Sequence, residues 1–158
     1  MATCIITKHM RCDGWGFGHQ WLIPGWKHLG QDMERNQINK KVSAYSDGVV
    51  RYVKNTPEWG SGVCIEHTAP DKHKYTSIYW HIKDVQLKIE QNVKCGQIIG
   101  VISELTPTAR WNIPHLHFGL RTGGYIYPDS IKGGIIEKKF PDGFVNPYTW
   151  FRKNKLVR

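Results

Sequence analysis

The chain has 158 residues, 40% hydrophobic and 12% aromatic, with 22 Lys and Arg against 13 Asp and Glu for a formal net charge of +9. That length suits one domain with a real core and is short for two, and no apolar run approaches the ~20 residues of a membrane-spanning helix. The positive balance favours an anionic partner such as nucleic acid, an anionic membrane or an acidic cell wall. However, the basic residues sit in scattered groups (NKK, KHK, EKKF, FRKNK), as a solvated basic surface would have them.

The N-terminus, MATCIITKHMRCDG, lacks the basic start, apolar centre and small-residue cleavage site of a secretory signal. Residues 13–30, DGWGFGHQWLIPGWKHLG, are dense in Gly and Trp without regular period and read as a shaped loop. GQDMERNQINKK offers a turn or two of helix. KVSAY and VVRYV flank SDG, where Asp47 and Gly48 can supply the positive φ of a tight hairpin. GVCIEH, YTSIYWHI, VQLKI, QIIGVI and HLHFGLR follow as short β-branched or aromatic runs between turn residues. In YTSIYWHI, alternation places Ser77, Tyr79 and His81 on one face and Ile78, Trp80 and Ile82 on the other. NPYTWFRKN can form a short helix with Asn146 as cap and Pro147 in its first position. The series predicts an all-β single domain of mostly antiparallel short strands forming a groove, with long loops and at most short helices.

The four cysteines, Cys4, Cys12, Cys64 and Cys95, form no C-x-x-C pair, which argues against a zinc knuckle or a dense disulfide framework. Cys64, inside VCIEH, reads as a small core residue. Cys4 and Cys12 are the pair that could join in an oxidising compartment.

A zinc site that performs chemistry presents three protein ligands and leaves a fourth position for water. HLGQD supplies His28 and Asp32, four residues apart with a glycine between, so a bent loop or single turn can aim both at one centre. PHLHFGLR puts His115 and His117 on one face of a strand, with Leu116 and Phe118 anchoring it from behind. One imidazole can then bind metal while its neighbour handles protons. An isolated H-x-H is more often a surface pair and an isolated H-x-x-x-D a cap or salt bridge; their joint occurrence in a β-rich chain carries the weight. The helix-borne H-E-x-x-H arrangement is absent.

In their order and spacing, HLGQD, VSAYSDGVVRYV, GVCIEH, YWHI, VQLKIEQNVKCGQIIGVI and PHLHFGLR resemble the lysostaphin-type zinc metallopeptidases, which cut peptide cross-links of bacterial peptidoglycan. The resemblance spans about 28–121, and NPYTWF is similar to the family's usual ending. It implies a single domain over 1–158, with the Trp/Gly-rich loop 13–27 before that core and an extension, 122–158, after it. It implies Zn²⁺ held by His28, Asp32 and His117, with His115 and His81 as catalytic residues beside the zinc water. Trp15, Trp21, Trp26, Trp59 and Trp111 would wall the groove, with a simple core role as the alternative for Trp59. His9, His19, His67 and His73 match no ligand position; of these only His19 lies near the loop that bears His28.

The tyrosine that many members carry before the first zinc histidine is replaced by Trp21, Leu22 and Trp26. SELTPTARWN and TGGYIYPDSIKGGIIEKKFPDGF should reshape the groove walls. The expected function is hydrolysis of peptidoglycan cross-links or stem peptides at the cell wall by a monomer, with no membrane insertion and no nucleic acid. A phage-type lytic enzyme would account for the missing signal. The alternatives are a non-catalytic relative that binds the wall or activates an amidase, and a basic nucleic-acid-binding domain, which lacks the expected basic stripe.

Overall fold

A computed structural model describes residues 3–20, 24–104, 113–136, 142–153 and 156. Trp21, Leu22 and Trp111, and residues 105–112 of the loop SELTPTARWN, lie outside the described residues. The described residues form eleven strands: β1 (Trp26–His28), β2 (Gly30–Met33), β3 (Lys41–Ser43), β4 (Gly48–Thr56), β5 (Gly60–Thr68), β6 (Lys74–Lys83), β7 (Asn92–Val93), β8 (Ile98–Ile102), β9 (Leu116–Thr122), β10 (Gly134–Ile136) and β11 (Phe144–Val145). A single 3₁₀ turn (Asp129–Ile131) and one helix, α1 (Pro147–Lys153), complete the described structure. Nine strands share one sheet whose main path runs β11-β9-β6-β5-β4-β7, with β2 also on β9 and β8 bridging β3 and β6; β1 and β10 pair separately. The pairings are antiparallel, and the all-β expectation holds.

Alternation along β9 shows how the sequence positions the site. Leu116, Phe118 and Leu120 enter the main core, with Tyr45, Val63, Ile65, Tyr79 and Phe151, so His117, Gly119 and Arg121 face the other side. That second face is backed by a smaller cluster of Leu29, Cys64, Ile78, Ile135 and Phe144. Helix α1 forms as its residues predict: Asn146 Oδ1 accepts from the backbone N–H groups of Tyr148 at 2.9 Å and Thr149 at 3.3 Å. Phe151 then packs on Phe118 with ring centres 5.3 Å apart.

Several expectations are overturned, each by long-range pairing. GQDMERNQINKK forms no helix, because its first four residues pair with β9, Asp32 opposite His117. SDG joins no hairpin: β3 pairs with β8, and β4 pairs with β5 and β7. Asp47 instead accepts the Cys95 N–H at 2.8 Å on its carboxylate. VQLKI is a loop whose Val85 and Leu87 pack on the main core. Cys4 bonds to Cys95, leaving Cys12 and Cys64 free. The Cys4 N–H donates to Tyr45 and the Gly96 N–H to Ala44, which brings both cysteine segments to one stretch of chain. Cys64 is buried as expected.

The alternation of β6 also breaks. His81 has φ +67°, and the facing strand β5 shifts register between Ser61 and Val63. Tyr79 and Ile82 therefore share the main core while Ile78 and Trp80 pack on the other face. Ser77 and Tyr79 do not line a cleft. They join buried His67, whose Nε2 lies 2.7 Å from Ser77 Oγ, and Ser77 donates to the Tyr79 hydroxyl at 3.1 Å.

Candidate active site

Three strand pairs bring the five predicted residues together, the β6–β9 pair setting Trp80 opposite His117 and so carrying His81 to the site. β1 ends at His28, which lies opposite Gly134 of β10, and β2 sets Asp32 opposite His117 of β9. HLGQD is thus two short strands meeting at Leu29 rather than a bent loop or turn. His28, Asp32 and His117 are 3%, 6% and 3% exposed, and one ligand atom from each lies within 4.8 Å of the other two. His28 Nε2 is 2.7 Å from His117 Nδ1, and Asp32 Oδ1 is 3.1 Å from the first and 3.3 Å from the second. The edges of a tetrahedral site with ligand bonds of ~2.0–2.1 Å measure about 3.3 Å. The two carboxylate edges match that size, and the imidazole edge is tighter.

Backbone carbonyls orient three of the histidines. His28 Nδ1 is 3.1 Å from the Gly16 oxygen, His115 Nδ1 is 2.7 Å from Ile113, and His81 Nδ1 is 2.9 Å from Trp59. Each carbonyl can only accept, so each Nδ1 carries a proton, and in the neutral ring the lone pair lies on Nε2. His28 therefore turns a lone pair toward the carboxylate and the His117 Nδ1. His117 Nε2 is buried with no hydrogen-bond partner among the described residues. A cation suits this donor set, since a carboxylate and imidazole lone pairs aimed at one point repel without one. His115 Nε2 stands 3.5 Å from Asp32 Oδ1, and the His115 and His81 rings are 4.6 Å apart at their centres.

Electrostatics agrees with the geometry. Burial raises the Asp32 carboxyl, but the His117 and His28 side chains beside it reverse this and hold it well below the usual carboxylate range. Burial pushes the His117 imidazole down to about 4, against the upward pull of its Asp32 hydrogen bond, and pushes His81 down to about 3. At neutral pH Asp32 is thus anionic and the His117 and His81 rings are neutral, and carboxylate and neutral imidazole are the forms in which such side chains bind metals.

The walls are aromatic and partly unforeseen. Trp26 stacks on His28 at 5.8 Å, and Trp15 meets it edge-on at 6.4 Å. His19 stacks on Trp15 at 4.9 Å and takes no place among the donors. Trp59 is 45% exposed, so it is not a core tryptophan, and it acts on the site through its carbonyl. The extension after residue 121 forms a wall, as anticipated, and one of a specific kind. Ser130 O accepts from Cys64 Sγ at 3.2 Å and Ile131 O from Trp80 Nε1 at 2.9 Å, so the chain crosses the second face of the sheet. It reaches Gly133, whose oxygen accepts the Leu29 N–H at 2.9 Å, and continues as β10. No local sequence signal marks Gly16, Ile113, Gly133 or β10 as parts of the site. A cavity of about 150 Å³ opens on the remaining side, lined by Gly14, Trp15, Asp32, Arg35, Ile113 and His115.

The model of peptidase family M23 matches residues 26–128, and the chain belongs to that family. Among solved structures, it is similar to the catalytic domain of the antimicrobial peptidase lysostaphin from Staphylococcus simulans. The identity is 23%, over 88% of this chain and 90% of that one, with a TM-score of 0.62. The catalytic domain of the prophage-encoded M23 protein EnpA from Enterococcus faecalis, crystallised as an A109H mutant, is 23% identical over 92% and 97% of the two chains, with a TM-score of 0.58. A zinc-containing peptidase from Vibrio cholerae is 22% identical over 88% of this chain and 41% of its own, with a TM-score of 0.57. No curated protein sequence matches. No helix among the described residues is long and apolar enough to cross a membrane.

Proposed function

We propose that this chain is a zinc-dependent endopeptidase that hydrolyses the peptides of bacterial peptidoglycan, with His28, Asp32 and His117 as zinc ligands and His115 and His81 as catalytic residues. The observation that carries the reading is the convergence of His28 Nε2, Asp32 Oδ1 and His117 Nδ1 within 4.8 Å. The ligands come from three strands, and His28 and His115 are fixed in the tautomers the chemistry needs. A residue range of 1–158 forming one catalytic domain fits this assignment, because β10 and α1, beyond the family core, both pack on strands that bear the site.

Bound zinc would supply Lewis-acid polarisation of the scissile carbonyl and lower the pKa of a coordinated water to about 7. His115, with its proton on the nitrogen facing Ile113, offers Nε2 beside Asp32 as the acceptor for a proton from that water. His81, anchored through Nδ1 on Trp59, offers its own Nε2 as a second acceptor that can orient the water, and the proton taken up by His115 is the one available to the leaving amine. Asp32 keeps its charge, and Trp15 and Trp26 hold the His28 ring from two sides. The formal charge of +9 favours a largely anionic wall polymer as the place of action.

Replacement of single histidines tests the reading. His117→Ala is expected to lose both zinc and hydrolysis. His115→Ala is expected to retain zinc and lose about 10²- to 10⁴-fold in rate, the usual scale of a positioned acid or base. Metal analysis of the purified variants beside a turbidity assay on cell walls decides it. An active His115→Ala enzyme, or a zinc-replete His117→Ala protein, contradicts the assignment. Wall binding without hydrolysis in the zinc-loaded parent would point to a non-catalytic relative.

A further inference from the structure

We infer that Arg35 is the specificity residue of this site and that it binds a free carboxylate of the substrate peptide beside the scissile bond. The inference rests on the peptidase reading for the identity of the substrate, though not for the existence of the anion site.

Arg35 follows Asp32 by three residues, just past the end of β2, and lines the open cavity together with Asp32 and His115. Its backbone is held at both ends: its N–H donates to Asp13 Oδ1 at 3.0 Å, and its carbonyl accepts from Arg11 Nη2 at 3.3 Å. Its guanidinium, by contrast, makes no hydrogen bond or ion pair among the described residues, although nearby cations are paired. Arg11 contacts Asp13 and Glu34, and Lys40 contacts Glu34. The carboxylate that shares the cavity, Asp32, is occupied by His28, His117 and His115. Arg35 is exposed, its backbone is anchored and its guanidinium is uncommitted, which leaves it available to an anion, and guanidinium matches carboxylate in a two-point fork.

The surroundings narrow the ligand further. Gly133 and β10 lie against one side of the metal group, and among the described residues the cavity beside Asp32 and His115 extends to Arg35. There, Trp15 and Ile113 are the apolar residues of the lining. The chemistry selects a peptide with a carboxylate one or two residues from the cleaved bond over an uncharged stretch such as an oligoglycine bridge. That group can come from a side chain or from a chain end. Both present the same anion to Arg35.

The test uses paired synthetic peptides that differ only in charge: Glu against Gln at the flanking position, and a free C-terminus against its amide. Oligoglycine serves as a neutral reference. Hydrolysis by the zinc-loaded protein and equilibrium binding to the metal-free protein are both measured, for the parent, Arg35→Gln and Arg35→Lys. The parent is expected to favour one acidic peptide over its neutral twin by about 10- to 100-fold in kcat/KM and in Kd, the range of one charge-assisted pair. The twin that shows the preference identifies the source. Arg35→Gln should erase the preference while leaving rates on the neutral peptides within about twofold, and Arg35→Lys should restore part of it. Equal binding of the acidic and neutral twins by the parent overturns the inference, as does an equal loss on both in Arg35→Gln. A binding preference that depends on Arg35, in a protein that cleaves nothing when loaded with zinc, would uphold the anion site and sink the peptidase reading.

Discussion

Gly30 on β2 lies so close to His117 on β9 that a Cβ added to it would stand 2.7 Å from the imidazole Nε2 and 2.5 Å from the Phe118 carbonyl oxygen. The glycine of HLGQD therefore does more than let the chain bend between His28 and Asp32. It makes the space in which a ring from another strand reaches the same centre. Gly30→Ala is expected to displace His117, to cost about 1 to 3 kcal/mol of stability as overpacking does, and to lower zinc occupancy. Chemical denaturation and metal analysis of the variant check both. A fully loaded, equally stable Gly30→Ala protein would show that the ring has room to move.

His81 occupies a left-handed backbone conformation, φ +67°, at the register shift opposite β5. Asn tolerates that conformation, whereas a β-branched residue is disfavoured there by about 1 to 2 kcal/mol. His81→Asn should fold and bind zinc as the parent does, with hydrolysis reduced by about 10²-fold or more. His81→Val should in addition lower the unfolding temperature. Thermal melts set beside rate measurements separate the imidazole's chemistry from its backbone role.

His67 gives the fold an acid-sensitive point remote from the metal group. Burial pushes its imidazole down to about 4, outweighing its hydrogen bond to the Asp47 carbonyl and the negative charges of Asp47 and Glu66. Its ring also stacks on Tyr75 at 4.8 Å. The unfolded chain takes up a proton near pH 6.5 that the folded chain refuses until about 4. This contribution is thus complete above pH 6.5 and declines as the pH falls through that window, by about 3 kcal/mol in all. Urea unfolding of the metal-free protein at pH 7 and pH 4.5 should show a smaller drop for His67→Gln than for the parent. Parallel losses in the two proteins would contradict the prediction.

The Cys4–Cys95 bond closes a separation of 91 residues and ties the N-terminal segment to the start of β8. Thiol titration of the denatured, unreduced protein should count two free groups, Cys12 and Cys64. Reduction should lower stability by about 2 to 4 kcal/mol, and the Cys4→Ser/Cys95→Ser protein should be insensitive to reductant. A count of four thiols would show the bond absent.

Periodicity made the strand faces and the short helix legible in advance, as at β9 and Asn146, because those patterns are local and each residue reports its own environment. The convergence of four histidines and one aspartate was legible for a related reason: side chains able to bind a metal or carry a proton come from few residue types, and their spacing within a strand is fixed by its twofold repeat. What orients them was not legible. The carbonyls of Gly16, Trp59 and Ile113 belong to any residue, so sequence carries no trace of their selection. The Asp47-Gly48 pair has the right chemistry for a hairpin, yet β3 finds more partners on β8 than on β4. Likewise, nothing local marks the break at His81, which is set by the register of β5.

The strand contributed by the extension, β10, lies alongside His28 while the rest of that segment covers the second face of the sheet. Remodelling this region to admit a different peptide cannot be done independently, since the same few residues hold His28, the first of the proposed zinc ligands, in position. Any engineered exchange of 123–136 should therefore be screened for metal retention before a change in cutting preference is attributed to the new wall.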